Sequence, residues 1–157
     1  MTLVELILAI VIAGILVAGL MSSYSAVVGR SADPMLRVQT TLLAESFLEE
    51  VLIKGFLDTT TGTRCPASPG GVRTNFDNVC DYAGYSSTSI TLPDGTAVTG
   101  LSGYAVAISV EDVSAADLPG VPTHCALKVS VSVSNPLGET TTLTGFKTDY
   151  ESSPACS

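Results

Sequence analysis

Thr2 and Glu5 carry the only polar side chains among the first 21 residues. The uninterrupted run from Leu6 to Met21, with Leu3 and Val4 added, gives about 20 residues at ~1.5 Å rise each, close to the ~30 Å hydrocarbon thickness of a bilayer. A second pattern follows Pro34. At 100° per residue, Leu36, Leu43, Phe47 and Val51 fall on one side of a helix over 34–54, and Met35, Val38, Leu42 and Ile53 on another, with Glu45 and Glu49 beside the second set. The first side suits a sheet of the same chain; the second calls for a partner. Glu50 and Lys54, four apart, are expected to pair weakly on the surface, and Gly55 to stop the helix.

The period then changes from 3.6 to 2. Residues 56–88 read as a loop, with Thr59-Thr60-Thr61-Gly62 and Pro69-Gly70-Gly71. A short strand is expected over 89–92, turned by Pro93-Asp94-Gly95. Over 103–110, Tyr104, Val106, Ile108 and Val110 alternate with small residues. Over 127–134, Leu127, Val129, Val131 and Val133 alternate with Lys128, Ser130, Ser132 and Ser134. A turn at Asn135-Pro136-Leu137-Gly138 leads to a Thr-rich strand over 140–147. The expected fold class is α+β: a long N-terminal helix whose C-terminal half packs on an antiparallel sheet with one buried face. The expected organisation is a hydrophobic segment over 1–28 and a globular head over 29–157, with helix 34–54, loop 56–88, sheet about 89–150 and a C-terminal loop.

Within the helical region, Gly14, Gly19 and Pro34 are weak points. Each glycine costs about 1 kcal/mol of helix propensity relative to Ala. Gly14 and Gly19 suit close packing of small faces between helices, and equally a stretch that loses helix when the segment leaves a bilayer. Pro34 removes a backbone donor and is expected to kink or restart the helix, with Asp33 as its cap.

Composition narrows the function. From Phe56 onward there are 4 basic and 10 acidic residues, and before it 3 and 5, for a net charge of −8. No Lys/Arg cluster exists, which argues against binding a nucleic-acid backbone. The four cysteines, Cys65, Cys80, Cys125 and Cys156, contain no C-x-x-C pair, and His124 is the sole histidine, so no metal centre is expected. Two disulfides are expected instead. Of three connectivities, Cys65–Cys80 with Cys125–Cys156 closes local loops and ties down the C-terminus. A lone histidine with no Gly-x-Ser-x-Gly elbow makes no triad, so neither catalysis nor a cofactor is expected. Asp77 and Asp81, with Asp94 or with Glu111 and Asp112, follow no EF-hand spacing and read as solvated loop acids.

Glu5 is the informative residue. A carboxylate within a membrane-spanning stretch costs about 2.5–3.5 kcal/mol on insertion scales unless it is paired. The nearest candidate cation is an α-amino group at residue 1, best placed on a neighbouring copy. A secretory signal peptide would carry a basic region ahead of the apolar run, yet the first Lys or Arg is Arg30. A plain single-span anchor accounts for the length but not for Glu5.

Met1-Thr2-Leu3-Val4-Glu5-Leu6, followed by an apolar helix, resembles the mature N-terminus of a type IV pilin. The resemblance covers about the first 25 residues. It implies removal of a short basic leader by a prepilin peptidase and N-methylation of the new first residue. Met1 is then either that processed residue or an initiator methionine; the Thr2-Leu3-x-Glu5 spacing favours the former. The resemblance also implies assembly through Met1, Thr2 and Glu5, with Glu5 accepting a charge-assisted bond from the Met1 amine of the next subunit. Pilins of this family often staple a C-terminal loop to the sheet, as Cys125–Cys156 would. A narrower resemblance, to minor pilins of the mannose-sensitive haemagglutinin type, is carried by Asn75-Phe76-Asp77-Asn78-Val79-Cys80-Asp81-Tyr82-Ala83-Gly84-Tyr85-Ser86 and by Asn135-Pro136-x-Gly138.

The implied function is a structural subunit of a helical, homo-oligomeric pilus filament. It would sit in a bacterial inner membrane before the pilus assembly machinery acts, and in an extracellular pilus afterwards. A pseudopilin of a type II secretion system and a membrane-anchored periplasmic binding or adhesin domain that does not polymerise are the competing readings.

Overall fold

A computed structural model describes residues 3–149 and Cys156, with the backbone alone over 26–33. The chain separates into two compact units, residues 1–38 and 39–157. Helix α1 spans Leu3–Leu52 and contains Pro34. The expected restart at Pro34 is absent: Asp33 and Pro34 begin no new helix. A proline's fixed φ is itself helical, so its ring withholds one donor, the one due to the carbonyl four residues before it, and good helix formers on both sides carry the turn through.

In the first unit the helix is exposed along Leu3–Ser25, including Leu8, Ile12, Ile15, Leu20 and Met21. Two of its hydroxyls are satisfied within the helix. Ser23 Oγ donates to the Gly19 carbonyl at 3.1 Å and Ser25 Oγ to the Met21 carbonyl at 2.9 Å. Such back-bonding lets serine sit in apolar surroundings without an orphan donor.

In the second unit a four-stranded antiparallel sheet runs in the order β1 (Ser86–Ser87), β2 (Ala105–Asp112), β3 (Ala126–Ser134) and β4 (Thr140–Thr148). The register pairs Val106 with Val133 and Ile108 with Val131 across β2 and β3, and Val131 with Leu143 across β3 and β4. Period-2 alternation therefore brings the apolar residues to one face, where Val106, Ile108, Leu127, Val129, Val131 and Val133 are buried. The opposite face is a hydroxyl ladder: Ser130, Ser132 and Ser134 lie 3.2, 2.8 and 2.8 Å from Thr144, Thr142 and Thr140. Such cross-strand pairs each contribute about 0.2–1 kcal/mol.

The strand expected over 89–92 lies outside this sheet. It forms a small hairpin around Pro93-Asp94-Gly95, with Leu92 N–H donating to Thr96 O, Val98 N–H to Ile90 O, and one bridge between Thr91 and Ala97. Ser86 and Ser87 take the sheet position beside β2. They offer no apolar alternation, so nothing in their side chains announces a strand.

The buried helix face of this unit is Thr40, Ala44, Phe47 and Val51, with Leu43 half-buried at its margin. The helix approaches β4 closely. A Cβ on Gly145 would stand 2.9 Å from Leu52 Cδ1 and 3.3 Å from Leu48 Cδ1. Tyr104 donates its hydroxyl to Gln39 Oε1 at 2.8 Å, and Lys147 Nζ donates to the Leu52 carbonyl at 2.9 Å. The lysine thus supplies, from β4, the cation that the helix C-terminus favours and its own last turn lacks.

Gly55 does not act as a helix stop. Its N–H donates to Asp77 O at 3.2 Å and its carbonyl accepts from Val79 N–H at 3.0 Å, which makes a parallel bridge to Asn78. A Cβ there would come 2.7 Å from the Leu57 carbonyl oxygen. Glycine is needed for this close backbone approach.

Two disulfides staple the unit, Cys65–Cys80 and Cys125–Cys156. The first ties the loop after the helix to a 3-10 turn, Val79–Tyr82. The second ties Cys156 to the residue before β3.

Asp117 supports the start of β3 from outside. Lys128 Nζ donates to its Oδ1 at 2.7 Å, and Ser114 donates both Oγ–H and N–H to its Oδ2. These bonds, the Lys128 bond foremost, hold the carboxyl at about 2, below its ordinary 3.8. A depressed folded-state value gives stability that is complete above the unfolded value near 3.8 and is lost as pH falls towards 2. Urea midpoints of the wild type and Asp117→Asn, measured from pH 7 down to pH 2, should differ by a constant amount above about pH 5 and converge near pH 2.

Candidate functional site

The apolar segment of the first unit is the strongest candidate. Leu3–Ser25 is 23 residues long with a mean hydropathy of 2.8, long and apolar enough to cross a membrane; signal sequences share that length and composition. Glu5 lies in the first turn of α1 and is exposed. A carboxylate there meets the positive end of the helix dipole, which stabilises it by about 0.3–1 kcal/mol. That is less than the cost of holding it in hydrocarbon. Met1 and Thr2 lie outside the described residues. Gly14 and Gly19 meet nothing within 4 Å of a built Cβ, so among the described residues no neighbour requires glycine at either place. The helix is continuous through both.

The helix of the second unit carries its own uncovered apolar residues. Leu42 and Ile53 are exposed while Phe47 and Val51 are buried. Met35 and Val38, in the first unit, are exposed as well. Glu45 and Glu49 are exposed, so this side is apolar with an acidic margin.

The expected Glu50–Lys54 surface pair is not formed. Lys54 Nζ donates to the Phe76 carbonyl at 2.7 Å. Glu50 faces the head, where Arg73 Nη1 donates to Oε2 at 2.8 Å and Tyr82 Oη donates to Oε1 at 2.8 Å. Arg73 is 3% exposed. Its Nη2 donates to the Thr91 carbonyl, and its guanidinium lies 4.5 Å from the Phe47 ring centroid and 5.6 Å from that of Tyr85. Phe76, Tyr82 and Tyr85 pack edge to face around it. Burial, and then the bond to Glu50, push the Tyr82 hydroxyl well above its ordinary value of 10.0, so it remains a donor. An arginine that stacks on rings and pairs with a carboxylate ties the loop around it to the helix. Sequence reasoning passes over it. Its one signal is an isolated Arg among glycines and aromatics.

The candidate calcium acids are dispersed into separate tasks. Asp81 is buried rather than solvated. Its Oδ2 accepts from the Asp77 and Asn78 N–H groups, while Asn78 Oδ1 accepts from Cys80 N–H, which makes a capping box for the Val79–Tyr82 turn. Asp77 accepts from Thr59 Oγ1, Asp94 from Thr96 N–H, and Asp112 pairs with Arg64. Glu111 is exposed on β2 opposite Lys128. His124 is exposed in a 3-10 turn, Thr123–Cys125. Comparison with protein-family models, with curated proteins and with solved structures returns no match to this chain.

Removing Arg73 strands Glu50 beside aromatic rings. Arg73→Ala should destabilise the head by about 3–5 kcal/mol, read as a lowered urea midpoint of the full chain in detergent. Glu50→Gln, which keeps an acceptor for Tyr82, should cost less.

Proposed function

We propose that this chain is a structural subunit of a type IV pilus-like filament and acts by polymerisation rather than catalysis. The observation that carries the reading is one carboxylate, Glu5, in the first turn of a 23-residue apolar helix whose side chains are uncovered. In this reading the helix rests in an inner membrane with the disulfide-stapled head on the oxidising side, which suits the two bridges.

Lipid tails already satisfy Leu and Ile, so apolar burial alone supplies little drive for helices to associate in a bilayer. Two features of the segment supply it. Gly14 and Gly19 allow neighbouring backbones to approach, and a neighbour's terminal ammonium gives Glu5 a charge-assisted bond across the subunit boundary. Once the helices are bundled outside the membrane, each covered Leu, Ile or Val is worth about 1.5–3 kcal/mol against water. Leu42 and Ile53 extend the contact beyond the membrane-length segment. The head, its sheet and its hydroxyl face then form the outer surface.

Glu5→Ala should abolish filaments, or leave only short disordered ones, while the head still folds and carries both disulfides. Electron microscopy of sheared surface material, with non-reducing gels of the membrane fraction, reads both. Normal filaments from Glu5→Ala would overturn the reading. Leu42→Lys should reduce filament yield without lowering the urea midpoint of the subunit, because Leu42 is exposed in the monomer.

A further inference from the structure

The C-terminal staple brings more than two sulfurs together. An imidazole nitrogen of His124 and the Sγ atoms of Cys125 and Cys156 all lie within 4.8 Å of one another. Cys125 is buried at the start of β3, where its carbonyl accepts from Asp149 N–H at 2.9 Å. Cys156 is half-buried and His124 exposed. As a disulfide the two sulfurs carry no charge and are poor ligands. As thiolates they are soft donors, and with a neutral imidazole they form a three-ligand Cys2His set.

The geometry needed for a metal is close to the geometry present. Tetrahedral zinc, with Zn–S near 2.3 Å and Zn–N near 2.0–2.1 Å, holds its donor atoms roughly 3.5–4 Å apart. Reduction has only to let the two sulfurs part by about 2 Å, within reach of a side-chain torsion at Cys156. Two thiolates balance the charge of one divalent ion, and water completes the fourth position. The Cys65–Cys80 bridge has no equivalent, since His124 is the chain's sole histidine.

We propose that the dithiol form of this staple is a zinc site, so that a soft divalent cation and the disulfide compete for the same two sulfurs. The newly made chain carries these thiols, and a dithiol or phosphine reductant regenerates them. Two electrons and two protons convert the disulfide to two thiols while the reductant is oxidised. Binding the metal releases the two thiol protons to solvent. Thiol–disulfide exchange with a disulfide oxidant transfers two electrons from the two sulfurs to that oxidant, which leaves as two thiols after taking up two protons, and the ion is expelled. In both forms Cys156 stays fastened beside β3, by a covalent bond in one and by the metal in the other. This inference is independent of filament assembly.

The test is a Co2+ titration of the full chain in detergent, reduced anaerobically with a phosphine, followed by displacement with Zn2+. We expect thiolate-to-cobalt charge-transfer absorption with tetrahedral d–d bands, saturating at one ion per chain and lost on adding Zn2+. His124→Ala should weaken Co2+ binding about tenfold or more, and Cys156→Ser should abolish the tetrahedral spectrum. The unreduced protein should bind no Co2+. His124 is exposed, so its replacement leaves the head folded, which far-UV circular dichroism verifies. Wild-type affinity in His124→Ala, or an unchanged spectrum in Cys156→Ser, would overturn the proposal. So would the absence of any tetrahedral cobalt spectrum from the reduced wild type.

Discussion

The second unit rests on one close approach, the laying of residues 40–52 of α1 against the inner face of a four-stranded sheet. Gly145 permits it, because any side chain there would meet Leu48 and Leu52. Phe47 and Val51 are buried in this unit, as are the valines of β2 and β3, and Lys147 donates to the Leu52 carbonyl at the end of the helix. A sheet of this size covers only one side of such a helix. The uncovered remainder, Leu42 and Ile53, is a direct consequence of that geometry.

Around this contact the head is organised more by polar clamps than by regular structure. A long connection between the helix and β2 contains short 3-10 turns, the two residues of β1, the small hairpin around Pro93-Asp94-Gly95 and the Gly55–Asn78 bridge. Arg73, Asp81 and the Cys65–Cys80 bridge hold it. The arginine joins the helix through Glu50, the hairpin through Thr91 and the aromatic cluster through Phe47 and Tyr85. The buried aspartate caps the turn that carries Cys80. Each clamp satisfies backbone or charged groups that a loop buried without them would leave orphaned.

The first unit follows different physics. Its Leu, Ile and Val side chains need no protein partner in a bilayer, and Ser23 and Ser25 donate to carbonyls of their own helix. Among the described residues no neighbour requires glycine at 14 or 19, and the proposed assembly would use both. The hydroxyl-rich outer face of the sheet, with its Ser–Thr ladder, suits exposure to water in either state.

Amino-acid pattern alone determined the apolar segment, the helix after it, and the strands centred on Val106, Val129 and Leu143. These elements have long, regular periods, and burial of one face leaves a register no freedom to slip. Glu5 was legible for the same reason, as a charge standing out against a uniform background. Tertiary structure alone decided the rest. Pro34 stayed inside a continuous helix because a single missing donor is outweighed by the turns on either side. Ser86 and Ser87 became a strand because β2 offered them an edge. Glu50 turned from a surface pair to Arg73 because a buried guanidinium is a strong partner and Lys54 is taken by the Phe76 carbonyl. The pairing of Cys125 with Cys156 was legible from loop closure, but the placing of the His124 imidazole beside both sulfurs depends on how the 3-10 turn Thr123–Cys125 aims that side chain.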